Sequence, residues 1–175
     1  MYNAGTLNDT DKTNRGLRTS NRTALLATQL EMQGVHLAGI AESRLPQGRR
    51  TNQAYHVIAA GPDADGNCGV ELWCATNLAL GGKHHLCPEH MVVLHTAPRM
   101  LIVRLCSPAL TATIVVAHAP TQGRRNDREG QLQWWRDAGK LLAKHAAAGG
   151  PIHLAHGWQR QTGEHHHSSH RGPRR

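Results

Sequence analysis

Twice along this chain a helical spacing of apolar residues is broken by glycine and followed at once by an apolar run. Leu25, Leu26, Gln29, Leu30 and Met32 fall at helical spacing, Gly34 ends the pattern, and residues 35–41 read VHLAGIA. Leu132, Trp135, Ala138, Leu141, Leu142 and His145 make a second such face. Gly149, Gly150 and Pro151 stop it, and Ile152 opens a further short run to Ala155. A helix with one apolar stripe buries that stripe against a neighbour, and a strand that is apolar at successive positions is covered on both faces. A chain built this way folds in layers, helix against sheet.

The stretch between the two units reads as strands. Residues 54–60, 69–75 (GVELWCA), 91–95, 100–106 and 111–117 (TATIVVA) are apolar and β-branched, with Pro98 in a turn and residues 61–66 in another. Residues 1–7 read as a short strand, 8–22 as a polar loop, Asn21 or Thr23 as the cap of the first helix that follows, and 44–52 as a basic loop. Asp127 caps the second helix. The order is strand, helix, strand, a meander of strands, helix, strand: an α/β layered domain over residues 1–156. Residues 157–175 hold His, Arg, Gln, Ser and Gly and almost nothing apolar, the composition of a disordered tail.

Lys and Arg number 20 against 12 Asp and Glu, a net charge of +8 with His neutral. That balance favours a polyanion such as DNA, although the pairs Arg49-Arg50 and Arg124-Arg125 and the run to Arg175 are equally what solvated loops and a tail look like. The four cysteines form no C-x-x-C pair. Cys74 and Cys106 sit inside apolar runs, where a reduced thiol packs as a small hydrophobe, so the expectation is a reducing compartment. The start MYNAGTLND carries no apolar signal core, and no apolar run reaches membrane-spanning length. The expectation is an intracellular protein, nuclear or cytoplasmic, not secreted and without membrane contact. Oligomeric state is not legible.

Three segments in order carry a resemblance: Tyr2-Asn3-Ala4-Gly5-Thr6-Leu7; QLEMQGVHLAGIAESR at 29–44; and IVVAHAPT at 114–121, with NCGVELW between them. They resemble, in turn, the opening Asn-bearing strand, the helix–strand unit closing in Gln-Glu-Thr-Arg, and the strand ending in His-Ala-Pro of the endonuclease/exonuclease/phosphatase superfamily. The likeness is nearest to the endonuclease module of non-LTR retrotransposons. The resemblance implies a layered α/β sandwich, Mg²⁺ held by Glu42, His118 assisting the leaving group of phosphodiester cleavage, and Asn3 orienting a phosphate oxygen or a metal-bound water. The local pattern agrees for Glu42 and His118, since each leaves an apolar strand and so sits at a sheet edge. One hard oxygen ligand with waters and a phosphate is a usual Mg²⁺ shell, and a side chain titrating near neutrality suits proton transfer. Taken alone, Glu42 also reads as a surface carboxylate beside Arg44 and Arg49, and His118 as a hydrogen-bonded strand end.

The pattern then breaks. Where the family's Gly-Asp-x-Asn loop is expected after residues 152–155, the chain reads AHGWQRQTGE. Gly157 stands where the Asp belongs and Gln159 where the Asn belongs. The family's last strands and terminal Asp-His pair have no counterpart, Ala41 replaces a Gln, and His36 replaces an Asp. The expected fold is therefore incomplete, with an open edge and an exposed apolar face. Two functions follow: an impaired Mg²⁺-dependent phosphodiesterase of endonuclease type, or a non-catalytic remnant that binds nucleic acid weakly through basic loops. His165, His166, His167 and His170, and separately His84, His85 and His90 near Cys87, lack the paired spacing of a zinc site.

Overall fold

Strands that are apolar on both sides need cover on both sides, and the computed structural model supplies it with four layers. It describes residues 2–5, 7, 21–52, 54–120, 128–146 and 152–156. The elements are β1 (Tyr2–Asn3), α1 (Arg22–Met32), β2 (Leu37–Ala41), β3 (Gly48–Asn52), β4 (Tyr55–Ala59), β5 (Val70–Ala75), a 3-10 turn (Pro88–His90), β6 (Met91–Ala97), β7 (Met100–Cys106), β8 (Thr111–Ala117), α2 (Arg128–Ala146) and β9 (Ile152–His156). Five strands form one sheet in the order β1-β2-β5-β4-β3, and four form a second in the order β6-β7-β8-β9. β1 runs parallel to β2 and β9 parallel to β8, and the remaining pairs are antiparallel.

The two-residue period of the strands sorts their side chains between layers. Val70, Leu72 and Cys74 of β5 meet Leu101, Val103 and Leu105 of β7 and Ala112, Ile114 and Val116 of β8 in the core between the sheets. Trp73 and Ala75, on the opposite face of β5, pack with Ile40, Tyr55 and Val57 beneath α1. Met100, Ile102, Val115 and Ala117 form the floor under α2. Tyr55 donates its hydroxyl hydrogen bond to the Val35 carbonyl at 2.7 Å and tilts against Trp73 with ring centroids 5.8 Å apart. Cys74 is fully buried, and burial pushes its thiol up to about 12.

Several expectations change. The opening strand shortens to Tyr2–Asn3, although Leu7 beyond it is still 1% exposed in the core. Arg22 is not in a loop: it opens α1 and is buried. In α1 the inward positions are Leu26, Ala27 and Leu30, while Leu25 and Met32 face solvent. In α2 the packed positions are Trp134, Ala138, Leu141 and Leu142, and Leu132 and Trp135 point outward. The stripe begins at Trp134 because Gln131, one turn earlier, is tied by its Nε2 to the Pro120 carbonyl at 2.9 Å, which fixes the rotation of the helix. Cys106 ends β7 exposed rather than packed.

The basic loop at 44–52 contains a strand. β3 pairs with β4 from Gly48 opposite Ala59 to Asn52 opposite Tyr55, and its arginines, Arg49 exposed and Arg50 half-buried, are tied to other strands by hydrogen bonds. Arg50 meets both carboxylate oxygens of the fully buried Glu71 at 2.8 and 2.7 Å. The Trp73 indole N–H donates to Glu71 Oε2 at 2.7 Å. Arg49 crosses to the other sheet and donates to the carbonyls of Met91 at 2.9 Å and Pro88 at 3.3 Å. The pair Arg124-Arg125 and the tail from 157 lie outside the described residues.

Candidate active site

β2 and β8 end at the same mouth of the sandwich. Strand alternation carried past Ala41, which faces the inter-sheet core, would send position 42 toward α1. Glu42 instead takes a left-handed conformation, φ 58°, and so does Arg44, φ 54°. A non-glycine residue is held there only when its surroundings insist. The surroundings are backbone on two sides. The Ala4 N–H donates to Ala41 O and the Leu7 N–H to Ser43 O. On the other side, the Ser43 and Arg44 N–H groups donate to Gly69 O and Cys68 O. Ser43 is fully buried within this clamp. Gly69, φ +85°, lies so close that a Cβ there would stand 2.9 Å from Arg44 N and 3.0 Å from Ser43 Oγ.

The outcome is that Glu42 Oε1 stands 3.5 Å from His118 Nε2. His118 is 7% exposed, its backbone N–H donates to the Arg99 carbonyl, and its Nδ1 is buried without a hydrogen bond. Burial lowers its pKa below the usual imidazole value; the Glu42 carboxylate opposes that shift and the Arg99 guanidinium adds to it. At neutral pH the ring is therefore neutral, and 3.5 Å is longer than the ~2.7–2.9 Å of a charge-assisted bond. Glu42 and His118 are thus neighbours that leave each other's polar atoms free for a third group.

Asn3 belongs to this edge by register: β1 pairs Asn3 with Ala41, the residue before Glu42. β9 also ends here, with His156 opposite Ala117, the residue before His118. Gly157 and Gln159 follow and lie outside the described residues. Two residues went unnoticed in the sequence. Arg99, at the turn between β6 and β7, puts its charge on both His118 and Cys68. Cys68, itself at φ 66°, is buried, and desolvation raises its thiol pKa, with Asp63 and Glu42 raising it further and Arg99 lowering it. The signal for Arg99 was its place in a proline turn two strands from the expected site, which only the sheet order brings near.

Among the described residues no group of three or more His, Cys, Asp or Glu could hold a metal ion. Glu42 remains compatible with Mg²⁺ on narrower grounds. Its carboxylate is a hard donor, a quarter exposed, fixed in place by its backbone, and Mg²⁺ binds through one or two carboxylates while keeping several waters. The His84–His90 loop is organised by internal bonds instead: the Cys87 N–H donates to His90 Nδ1, and His85 Nδ1 contacts the Thr76 carbonyl. No described helix is long and apolar enough to cross a membrane.

No family model matches the sequence, and no curated protein matches it. Solved structures do match the fold. The endonuclease domain of TRAS1, a telomere-specific non-LTR retrotransposon, aligns with a TM-score of 0.50 and 14% identity over 79% of this chain and 53% of its own. The AP endonuclease LMAP from Leishmania major aligns with a TM-score of 0.60 and 14% identity over 89% of this chain and 53% of its own. With its sheets, helices and strand-end residues so arranged, the chain has an endonuclease/exonuclease/phosphatase-like fold, an α/β sandwich spanning about half the length of these solved structures.

Proposed function

We propose that the mouth holding Glu42 and His118 is the centre of a Mg²⁺-dependent phosphodiesterase of retroelement endonuclease type, acting on DNA inside the cell, in which hydrolysis is impaired. The observation that carries this reading is the 3.5 Å approach of Glu42 to His118, secured by a left-handed residue that only a clamped backbone would hold. Glu42 is the metal ligand, and a Mg²⁺ ion bound there supplies Lewis-acid polarisation of a phosphate oxygen. His118 donates a proton or hydrogen bond to the departing oxygen, Asn3 orients a phosphate oxygen, and Arg99 adds positive charge beside the site.

Impairment has two sources. The residue that follows β9 in the sequence is Gly157, which has no side chain to orient or deprotonate a water. His118, with its pKa lowered by burial, holds a proton less readily than an ordinary imidazole. The absent carboxylate also favours a second reading, a non-catalytic remnant that binds nucleic acid without cutting it.

A plasmid-nicking assay separates the two. With Mg²⁺ the chain should nick slowly, Glu42→Ala should abolish that activity, and Gly157→Asp should raise it, since general-base assistance is worth about 10²–10⁴-fold. No nicking by any of the three supports the remnant. Vigorous nicking that survives Glu42→Ala would remove Glu42 from the centre.

A further inference from the structure

The outer face of α2 carries an aromatic platform that the sandwich does not use. Trp135 and Leu132 are 42% and 47% exposed, one turn apart on the side of the helix away from the sheet. Their neighbour Trp134 is packed against the α2 floor and meets the Trp135 ring edge-on at 4.8 Å and 82°. Trp135 is therefore steadied from beneath while one part of its surface stays in water. Gly139, one turn further on, has nothing within 4 Å of where a Cβ would stand, so the surface beyond the ring is flat.

The charge beside this platform decides what fits it. α2 holds Arg128, Arg136, Lys140 and Lys144 against Glu129 and Asp137. The Asp137 carboxylate is engaged within the helix by Gln133 at 3.0 Å and Lys140 at 3.4 Å. Arg128 and Arg136 are exposed and make no hydrogen bond or ion pair among the described residues. An exposed indole flanked by exposed guanidinium groups, of which Arg136 also acts on Asp137, matches a strand of alternating planar bases and phosphates. A duplex keeps its base faces stacked and cannot offer one to a tryptophan on a convex helix, whereas a single strand can.

We propose that the Leu132–Trp135 face of α2 binds single-stranded nucleic acid, with a base stacked on Trp135 and phosphates on Arg128 and Arg136. The helix is pinned through Gln131 to Pro120, two residues beyond His118, so a strand on this face lies one helical turn from the segment that leads out of the mouth. The inference does not depend on whether the mouth cuts.

Anisotropy of a fluorescein-labelled (dT)20 titrated with the full chain in EDTA tests it. Trp135→Ala should weaken binding about tenfold, Trp135→Phe should retain most of it, and Arg136→Glu should weaken it and flatten its salt dependence. The thermal midpoint should barely move in the first two variants, because the side chain is outside the core. Equal binding by Trp135→Ala and parent would overturn the proposal. So would displacement by polyglutamate at the same charge concentration as (dT)20, which would identify an acidic protein surface as the occupant.

Discussion

His118 Nε2 lies 3.5 Å from Glu42 Oε1 while its own Nδ1 is buried without a partner, so the ring is closed off from water and only weakly compensated. Burial lowers its pKa from the ordinary 6.5, against the pull of Glu42 and with the push of Arg99. Between the lowered folded value and 6.5 the unfolded chain holds the proton more often than the folded one. The stability contributed by the neutral ring is therefore present above about pH 6.5 and lost as pH falls through the folded pKa. His95 acts in the same direction, lowered by burial and then by His145 and Lys144. The melting temperature should fall between about pH 7.5 and pH 5, and His118→Asn should flatten part of that fall. A parent that melts higher in acid would contradict the assignment.

Gly69 and Gly66 both have positive φ, +85° and +73°, but only Gly69 has backbone against it. Gly66→Ala should cost about 1 kcal/mol, the price of the left-handed backbone alone. Gly69→Ala must also displace the Ser43–Arg44 peptide, and should cost roughly 2–4 kcal/mol. Urea unfolding of the two variants side by side measures the difference, and equal losses would mean that the clamp on Glu42 is soft.

Arg50→Met leaves the Glu71 carboxylate buried with, among the described residues, the Trp73 N–H as its remaining partner, and should destabilise by about 3–5 kcal/mol. Replacing both partners, Arg50→Met with Glu71→Leu, should destabilise less than Arg50→Met alone, because no unpaired charge then remains. A double variant weaker than the single one would show that the pair is worth more than the charge it neutralises.

Trp134→Ala should destabilise by about 2–3 kcal/mol, since the ring packs with Ala138, Leu141 and Leu142 over the sheet. Trp135→Ala, from the exposed side, should stay within roughly 0.5 kcal/mol of the parent. Thermal unfolding of the two adjacent variants checks the rotation of α2 directly, and reversed losses would place the wrong tryptophan in the core.

Much of the sandwich was readable in the sequence because its central strands are apolar at most positions: β5, β7 and β8 fell within a residue of their expected bounds. β3 was not, because an edge strand of Gly, Arg, Arg, Thr and Asn has the composition of a loop, and the Glu71 carboxylate that holds Arg50 lies 21 residues away on β5. Helix rotation was misjudged for a related reason. Leu132 and Trp135 suit an apolar stripe as well as Trp134 does, and the deciding contact, Gln131 to Pro120, is tertiary. At the mouth, the strand-end rule located Glu42 and His118, but nothing local announces the left-handed backbone that aims Glu42 or the approach of Arg99 from another hairpin.

The arginines of β3 have a consequence for how the molecule can grow. β3 is the outer strand of one sheet and β6 of the other, and Arg49 laces them together on the same flank. The arginines that cross β3 and a bulge between Val93 and His95 of β6 make both of these edges poor templates for a further strand. Among the described residues the opposite flank has no such guard. β1 contributes only two residues, β9 runs beside β8, and a space of about 250 Å³ lined by Leu37, Leu72, Leu110, Ile114 and His153 opens between the layers. Strand addition, whether from the same polypeptide or another, is thereby directed to one side. As far as its described residues go, the sandwich is polar in the architectural sense, guarded along one flank and open along the other.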